Sequence, residues 1–392
     1  MGLVGFLGRA SPELAASTGM GDRAWEKLTD LRDFSTKIGV APWEKSAVPT
    51  KKINYLQVAW SENPTVDTDS ARSITLGVER LPPMAFGPSQ NVAQLVLDYG
   101  RDQAREMLDP RHRALVDIAA EVLADERQQI GISYTGFCLT SLPHKKLPDD
   151  QVWQRRGHRV TLLVEPGTMR DGDNVVKYGV PYGSRARMIL LYLQTQAIRT
   201  GSREIELGRS MRSWMERMGL SIGGETTKAL REQAARISAC SLKFFWEGED
   251  AKRWARGGIV SAGLRFNAIQ GREESPWDDR VVLDEVFWKA LSEHPVPLQE
   301  AAIRQLAHRS LALDVYIWLA WRCHHLSDPI GISWLAMNAQ FNTTGQQLKH
   351  FKPLFTEALR AATAAYPGCR VDVEETSITV YPAKPPVLKL IR

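Results

Sequence analysis

Two clusters of side chains, with a basic loop beside the first, combine residue types that recognise nucleic acid. Thr226, Thr227, Lys228 and Arg231 follow the paired glycines Gly223 and Gly224. Hydroxyls and backbone N–H groups at a helix start suit phosphate oxygens. The planar fork of arginine matches O6 and N7 of guanine. Thr343, Thr344, Gln346, Gln347, Lys349, His350 and Lys352 form the second cluster. Glutamine can pair with adenine through two hydrogen bonds, and lysine can meet phosphate or guanine. Lys252, Arg253 and Arg256 stand among glycines around Trp254. A basic tip of that kind suits phosphate or the minor groove. A solvated helix face or loop is the plain alternative for each group. Two clusters in the same architectural slot favour DNA.

Other chemistry is poorly supported. No G-x-x-x-x-G-K-[ST] run is present to cradle phosphates. Cys323, His324 and His325 are consecutive. Adjacent residues diverge on a helix, and no second ligand cluster follows at zinc spacing. There is no His-x-His pair and no tyrosine in a nucleophile motif, which argues against a nicking endonuclease. Glu273-Glu274 and Asp278-Asp279 flank Pro276 and read as solvated acidic turns. We therefore expect no catalytic residues, no metal and no cofactor. Trp214, Trp246, Trp288, Trp318, Trp321 and Trp334 fall at apolar positions and read as core.

The bulk properties agree with a binding protein. The 392 residues are 43% hydrophobic and 24% charged, with a net charge of +5. Residues 1–110 hold 12 basic against 14 acidic residues, so the basic surplus lies beyond them. Residues 184–256 alone hold 14 basic against 8 acidic. Such a surplus suits an anionic partner. The four cysteines, at 138, 240, 323 and 369, form no C-x-x-C. The longest apolar run, 311–323, is interrupted by Asp314 and is too short to span a bilayer. A soluble protein of the reducing cytoplasm is expected, with no membrane partner.

The elements that must position the two clusters show as periodicity. Leu115, Ile118, Val122 and Leu123 mark a helix over 111–127. Residues 132–142 and 160–164 read as strands, separated by a polar loop over 143–157. A helix over 183–200 is followed by a strand over 203–207 and a short helix over 210–218. A glycine turn then leads into a helix over 225–240 and strands over 242–246 and 259–266, joined by a loop over 248–258. The order then recurs: helix 311–325, strand 330–333, helix 334–341, turn 342–345, helix 346–366 and a hairpin of 370–374 with 377–381. Tyr192 aligns with Tyr316 and Ile205 with Ile332. Pro353 should kink the second long helix or mark where its regular part begins.

This is the order of a winged helix-turn-helix, whose last helix enters the major groove. The expected fold class is α+β, with tandem winged helix-turn-helix domains. Residues 107–297 would form the first, with a helix and strands ahead of it, for dimerisation and DNA binding. Residues 298–392 would form the second. Residues 1–106 read as a poorly structured N-terminal extension, with strand-like character over 53–60 and helical character over 91–107. Met107 heads the first clean helix and is a second candidate start of translation.

Several motifs resemble those of the RepA-type plasmid replication initiators. They include Tyr178-Gly179-Val180-Pro181-Tyr182-Gly183-Ser184-Arg185-Ala186-Arg187, Arg236-Ile237-Ser238-Ala239-Cys240 and Phe244-Phe245-Trp246-Glu247-Gly248. Further on, His294-Pro295-Val296-Pro297 and Asp314-Val315-Tyr316-Ile317-Trp318-Leu319-Ala320 are similar too. The resemblance spans roughly residues 111–386. It implies two winged-helix domains that bind repeats (iterons) in double-stranded DNA at a plasmid origin, with the second domain binding iterons. It also implies help in opening the origin, recruitment of host replication proteins including the replicative helicase, and a homodimer in equilibrium with monomer. The alternative on the same fold is a winged-helix transcriptional repressor. Tandem, non-identical modules in one chain favour the initiator.

Overall fold

Helices form where apolar residues recur at helical spacing, but the strands pair over longer distances than their sequence order suggests. The structure, a computed structural model, describes residue 87 and residues 91–171, 173–247, 255–262 and 280–387. Contacts divide the chain between Gly77 and Val78, and the described residues all belong to the second unit. They mix helix and sheet in an α+β arrangement.

Three helices open the described part: α1 (Val92–Tyr99), α2 (Arg101–Met107) and α3 (Arg113–Leu123). Gly100, at φ 77°, breaks α1 from α2, a backbone conformation that favours glycine. Residues 91–106, inside the stretch expected to be poorly structured, are therefore helical and packed. Val92, Ala93 and Ala104 are buried. Asn91 caps α1 and donates from Nδ2 to the carbonyls of Pro367 and Cys369, at 3.1 and 3.2 Å. The strand-like residues 53–60 lie outside the described residues.

The stretch 132–142, expected as one strand, is β1 (Ile130–Tyr134) followed by α4 (Thr135–Leu139). The chain turns back so that Tyr134 and Phe137 both meet Phe244 edge-on, at 5.1 and 5.2 Å between ring centroids. Gly136 permits this, since a Cβ there would lie 2.5 Å from the Tyr134 ring. On one side β1 pairs antiparallel with β11 (Pro295–Gln299). On the other, the backbone N–H groups of Ile132 and Tyr134 donate to Thr195 Oγ1 and Gln194 Oε1 at 2.8 and 2.7 Å. Both acceptors lie on α5 (Gly183–Thr200), so β1 is satisfied by strand and helix together. The boundary expected between residues 297 and 298 falls inside β11.

β2 (Trp153–Arg156), β3 (Val160–Glu165), β7 (Ser241–Trp246) and β8 (Ala255–Gly257) form one sheet in that order. β4 (Gly167–Asp171) and β5 (Asn174–Tyr178) form a separate hairpin. The ribbon expected between 242–246 and 259–266 is not made. β7 pairs with β3 and β8, while β9 (Val260–Ala262) pairs with β10 (Arg280–Leu283). The reason is packing. β3 and β7 each alternate buried and less buried side chains, and Val160, Leu162, Val164, Leu242 and Phe244 seal one face.

The repeat becomes sharper once the strands are correctly paired. In the first copy, α5 leads to β6 (Glu204–Glu206), α6 (Met211–Arg217), α7 (Gly224–Ala239), β9 and β10. In the second, α10 (Ser310–His324) leads to β12 (Ile330–Ser333), α11 (Trp334–Phe341), α12 (Leu348–Ala364), β13 (Val371–Val373) and β14 (Ser377–Val380). The strand orders are β6-β10-β9 and β12-β14-β13, all antiparallel. Between the copies lie α8 (Glu285–Glu293), β11 and α9 (Glu300–Gln305). Pro353 sits inside α12, which continues through it.

A buried ion pair joins the leading helices of the two copies. Arg187 of α5 donates from Nε and Nη2 to the two carboxylate oxygens of Asp314 on α10, at 2.6 and 2.7 Å. Its remaining donors meet the carbonyls of Leu142, Pro143 and Gly183. The two side chains are 5% and 9% exposed. Burial pushes the Asp314 carboxyl up, and the Arg187 guanidinium opposes that shift. Removing one partner strands the other charge in a dry site. We expect Asp314→Ala to lower stability by about 3–5 kcal/mol, and Arg187→Met with Asp314→Leu to cost much less. Urea unfolding of the single and double variants checks this; a double variant as unstable as the single one would remove the pair from this role.

Candidate nucleic-acid interface

The first cluster lies on α7 and the second at the start of α12. On α7 the inward face is Leu230, Gln233, Ala234, Arg236 and Ile237. Lys228 and Arg231 are exposed and Thr226 and Thr227 half-buried, so the cluster faces away from that core. No side chain caps the helix, whose N-cap is Gly223. A Cβ on Gly223 or Gly224 would meet nothing within 4 Å, so the approach to the first turn is open. Thr227 is partly engaged, donating from Oγ1 to the Gly223 carbonyl at 2.9 Å.

Buried polar groups fix the pose of α7. Gln233 Oε1 accepts from the Tyr182 backbone N–H at 2.8 Å. Arg236 donates from Nη2 to Asp149 at 2.8 Å and from Nη1 to the Val180 carbonyl at 3.3 Å, and its guanidinium lies 5.3 Å over the Tyr182 ring. The Arg236 hydrogen bond holds the Asp149 carboxyl below the usual carboxylate range. Two sequence motifs, one around Val180 to Arg187 and one starting at Arg236, thus meet to orient the helix.

In the second copy the α11–α12 turn is built around Asn342. Its Oδ1 accepts from the backbone N–H groups of Thr344 and Gln346, and its Nδ2 donates to the Gln346 carbonyl at 2.7 Å. Gly345, at φ 67°, completes the turn. Thr344, Gln347, Lys349 and His350 are exposed, while Thr343 and Gln346 are half-buried. The Thr343 hydroxyl is buried with no partner among the described residues. Lys352 is held back. Its Nζ donates to the Glu375 carbonyl at 2.8 Å and lies 5.5 Å over the Trp334 ring. It ties the helix to the β13–β14 turn instead of standing free.

The third group is described only in part. Lys252 and Arg253 lie outside the described residues, and only the backbone of Arg256 is described, in β8 opposite Lys243 of β7. In sequence, Lys252 and Arg253 fall between β7 and β8, and not between β9 and β10. The segment that links β9 to β10, residues 263–279, lies outside the described residues.

Sequence reading missed a basic concavity beside the second cluster. Lys145, His308 and Arg309 line an open cavity of about 740 Å³ together with Thr343, Thr344 and Gln346. The runs His144-Lys145-Lys146 and His308-Arg309 were visible as basic patches, but their meeting depends on a contact across more than 160 residues. His144 takes no part as a cation, because burial pushes its pKa down to about 2.

No group of three or more potential metal ligands gathers among the described residues. Cys323 is buried 3.6 Å from Cys369, and His325 stacks on Trp321. No described helix is long and apolar enough to cross a membrane.

Residues 180–334 match the family model described as plasmid encoded RepA protein. The matched segment is less than half of the chain. It takes in the whole first copy and, in the second copy, α10, β12 and the first residue of α11. The match therefore covers α7 and its contacts with Val180 and Tyr182, but neither Asp149 nor α12. No curated relative matches the chain. Among solved structures, the chain is similar to a crystal structure of selenomethionine derivatives of domains 2 and 3 of RctB. Identity is 13%, 63% of this chain and 97% of that one are covered, and the TM-score is 0.42. A second crystal structure of RctB domains 2–3 gives 12% identity, 62% and 93% coverage and a TM-score of 0.38.

Two arginines of α7 should separate cleanly. Arg236→Ala removes buried hydrogen bonds and should cost about 1–3 kcal/mol of stability, whereas Arg231→Ala should stay within about 0.5 kcal/mol. Thermal unfolding of the two variants gives the comparison, and equal losses would contradict the assignment of inner and outer faces.

Proposed function

We propose that the protein is a replication initiator that binds double-stranded DNA through tandem winged helix-turn-helix modules. The observation that carries this reading is the repeated topology. Two copies share one element order and one strand order, and each presents exposed cationic or amide side chains near the start of its last helix. The family match over residues 180–334 supports plasmid replication as the setting.

In this reading α7 and α12 enter successive major grooves. Arg231 and Lys349 reach base edges, with Gln346, Gln347 and His350 beside them. Thr226, Thr227, Lys228, Thr343 and Thr344 meet phosphates, as do Lys145 and Arg309 in the neighbouring concavity. Lys352 holds the β13–β14 turn against α12 and so acts by positioning. The chain acts by binding and not by catalysis. Its target is a set of repeats at a plasmid origin, which it helps to open while recruiting host replication proteins such as the replicative helicase. It works in the bacterial cytoplasm as a homodimer in equilibrium with monomer.

Footprinting of the purified protein on DNA flanking its coding sequence should give evenly spaced protections at direct repeats. A single protected inverted repeat at the promoter would instead establish a repressor. Arg231→Ala and Lys349→Ala should each weaken specific binding by about 1–3 kcal/mol. Lys145→Ala and Arg309→Ala should each lower the salt-dependence slope by about 1. Unaltered binding in all four variants would mean that DNA docks elsewhere. Sedimentation should show a concentration-dependent dimer, and a monomer at every concentration would refute self-association.

A further inference from the structure

A half-open cavity of about 320 Å³ lies between α5, α6 and α9, at the small end of the range of about 300–1,000 Å³ for ligand pockets. Met188, Leu191, Tyr192 and Ile303 give it an apolar part, with Gln129, Thr195 and Gln196 beside them. Three guanidiniums from three different helices line it: Arg199, Arg217 and Arg304. The only carboxylate in the lining is that of Glu300.

The charges do not balance, and the geometry shows why that is useful. Glu300 accepts from Arg304 Nη2 at 2.6 Å and from Arg199 Nη2 at 3.3 Å. Its side chain is 19% exposed, against 45% and 42% for the two arginines. The less exposed carboxylate thus ties the two guanidiniums together in the cavity lining. Arg199 also donates to the Ile130 carbonyl, and Arg217 to the Glu206 carbonyl at 3.3 Å. Each guanidinium carries five donors, so most remain open. Exposed ion pairs add little stability, and a third arginine adds only repulsion unless an anion is present. The Arg304 stem packs 3.0 Å from the position of a Cβ on Gly219, so the cavity wall continues into the turn that leads to α7.

We propose that this cavity binds a small phosphorylated ligand with a flat apolar body, of the nucleoside phosphate class. The arginines hold the phosphate through paired, charge-assisted hydrogen bonds. The apolar part of the lining takes the ring. Glu300 is a positioning residue that preorganises two of the three arginines.

Calorimetric titration of the full chain with ADP tests the site, with inorganic phosphate and adenosine as separate arms. ADP should bind saturably with a Kd below about 1 mM and more tightly than either fragment. Arg199→Ala with Arg304→Ala should weaken it by about tenfold or more, with the DNA footprint in the absence of ADP unaltered. Arg304→Lys, which keeps the charge and loses the fork, should also weaken it and guards against a misfolded double variant. Absence of saturable ADP binding, unaltered binding in the variants, or phosphate binding as tightly as ADP would overturn the proposal. Because footprints are taken without ADP, such a failure leaves the DNA-binding reading untouched.

Discussion

The contact between Arg187 and Asp314 is the constraint around which the two copies are arranged. Taking two charges out of water is expensive, and only full hydrogen bonding makes the burial tolerable. Arg187 achieves it by pairing with both carboxylate oxygens and three backbone carbonyls. Because those carbonyls come from residues 142, 143 and 183, the pair ties the segment after α4 to the start of α5 as well as α5 to α10. His144 lies 3.8 Å from the same carboxylate but is kept neutral by burial, so it does not compete with the arginine. The two candidate reading helices follow α5 and α10 in their copies, so this ionic contact is one of the constraints on their separation.

Much of this was legible in the sequence, and the limits have physical causes. The leading helices of both copies, α6, α7 and α11 fall close to their expected bounds, since each satisfies a local 3.6-residue pattern. Strand pairing is not local. β7 and β9 are near in sequence and suggest one ribbon, yet β7 adds to β3 and β9 to β10. An alternating apolar pattern states that a strand is half-buried, not which strand it meets. The same holds for the helix within 132–142, where an apolar run suits either state.

The candidate site shows the same division. Lys228, Arg231, Lys349 and His350 are exposed, as their helical positions implied. Lys352 occupies a similar position but is drawn to the Glu375 carbonyl, a contact set by the β13–β14 turn. Lys145 and Arg309 could not be joined to the second cluster without the fold, because separate segments deliver them. Arg236 carried no visible sign that it is an internal anchor, since a basic residue in a basic helix looks like surface.

The pairing of β1 with β11 has a consequence for how the protein can be divided. Residues 130–134 come from before the first copy and residues 295–299 from between the two, so the shared strand pair laces the halves together. A cut at the expected boundary between residues 297 and 298 would split β11 and strip β1 of its neighbour. The bare strand Ile130–Tyr134, mostly buried in the intact protein, would then offer unpaired backbone groups at a sheet edge. Such edges template pairing between molecules. Separately expressed halves would inherit a tendency to aggregate.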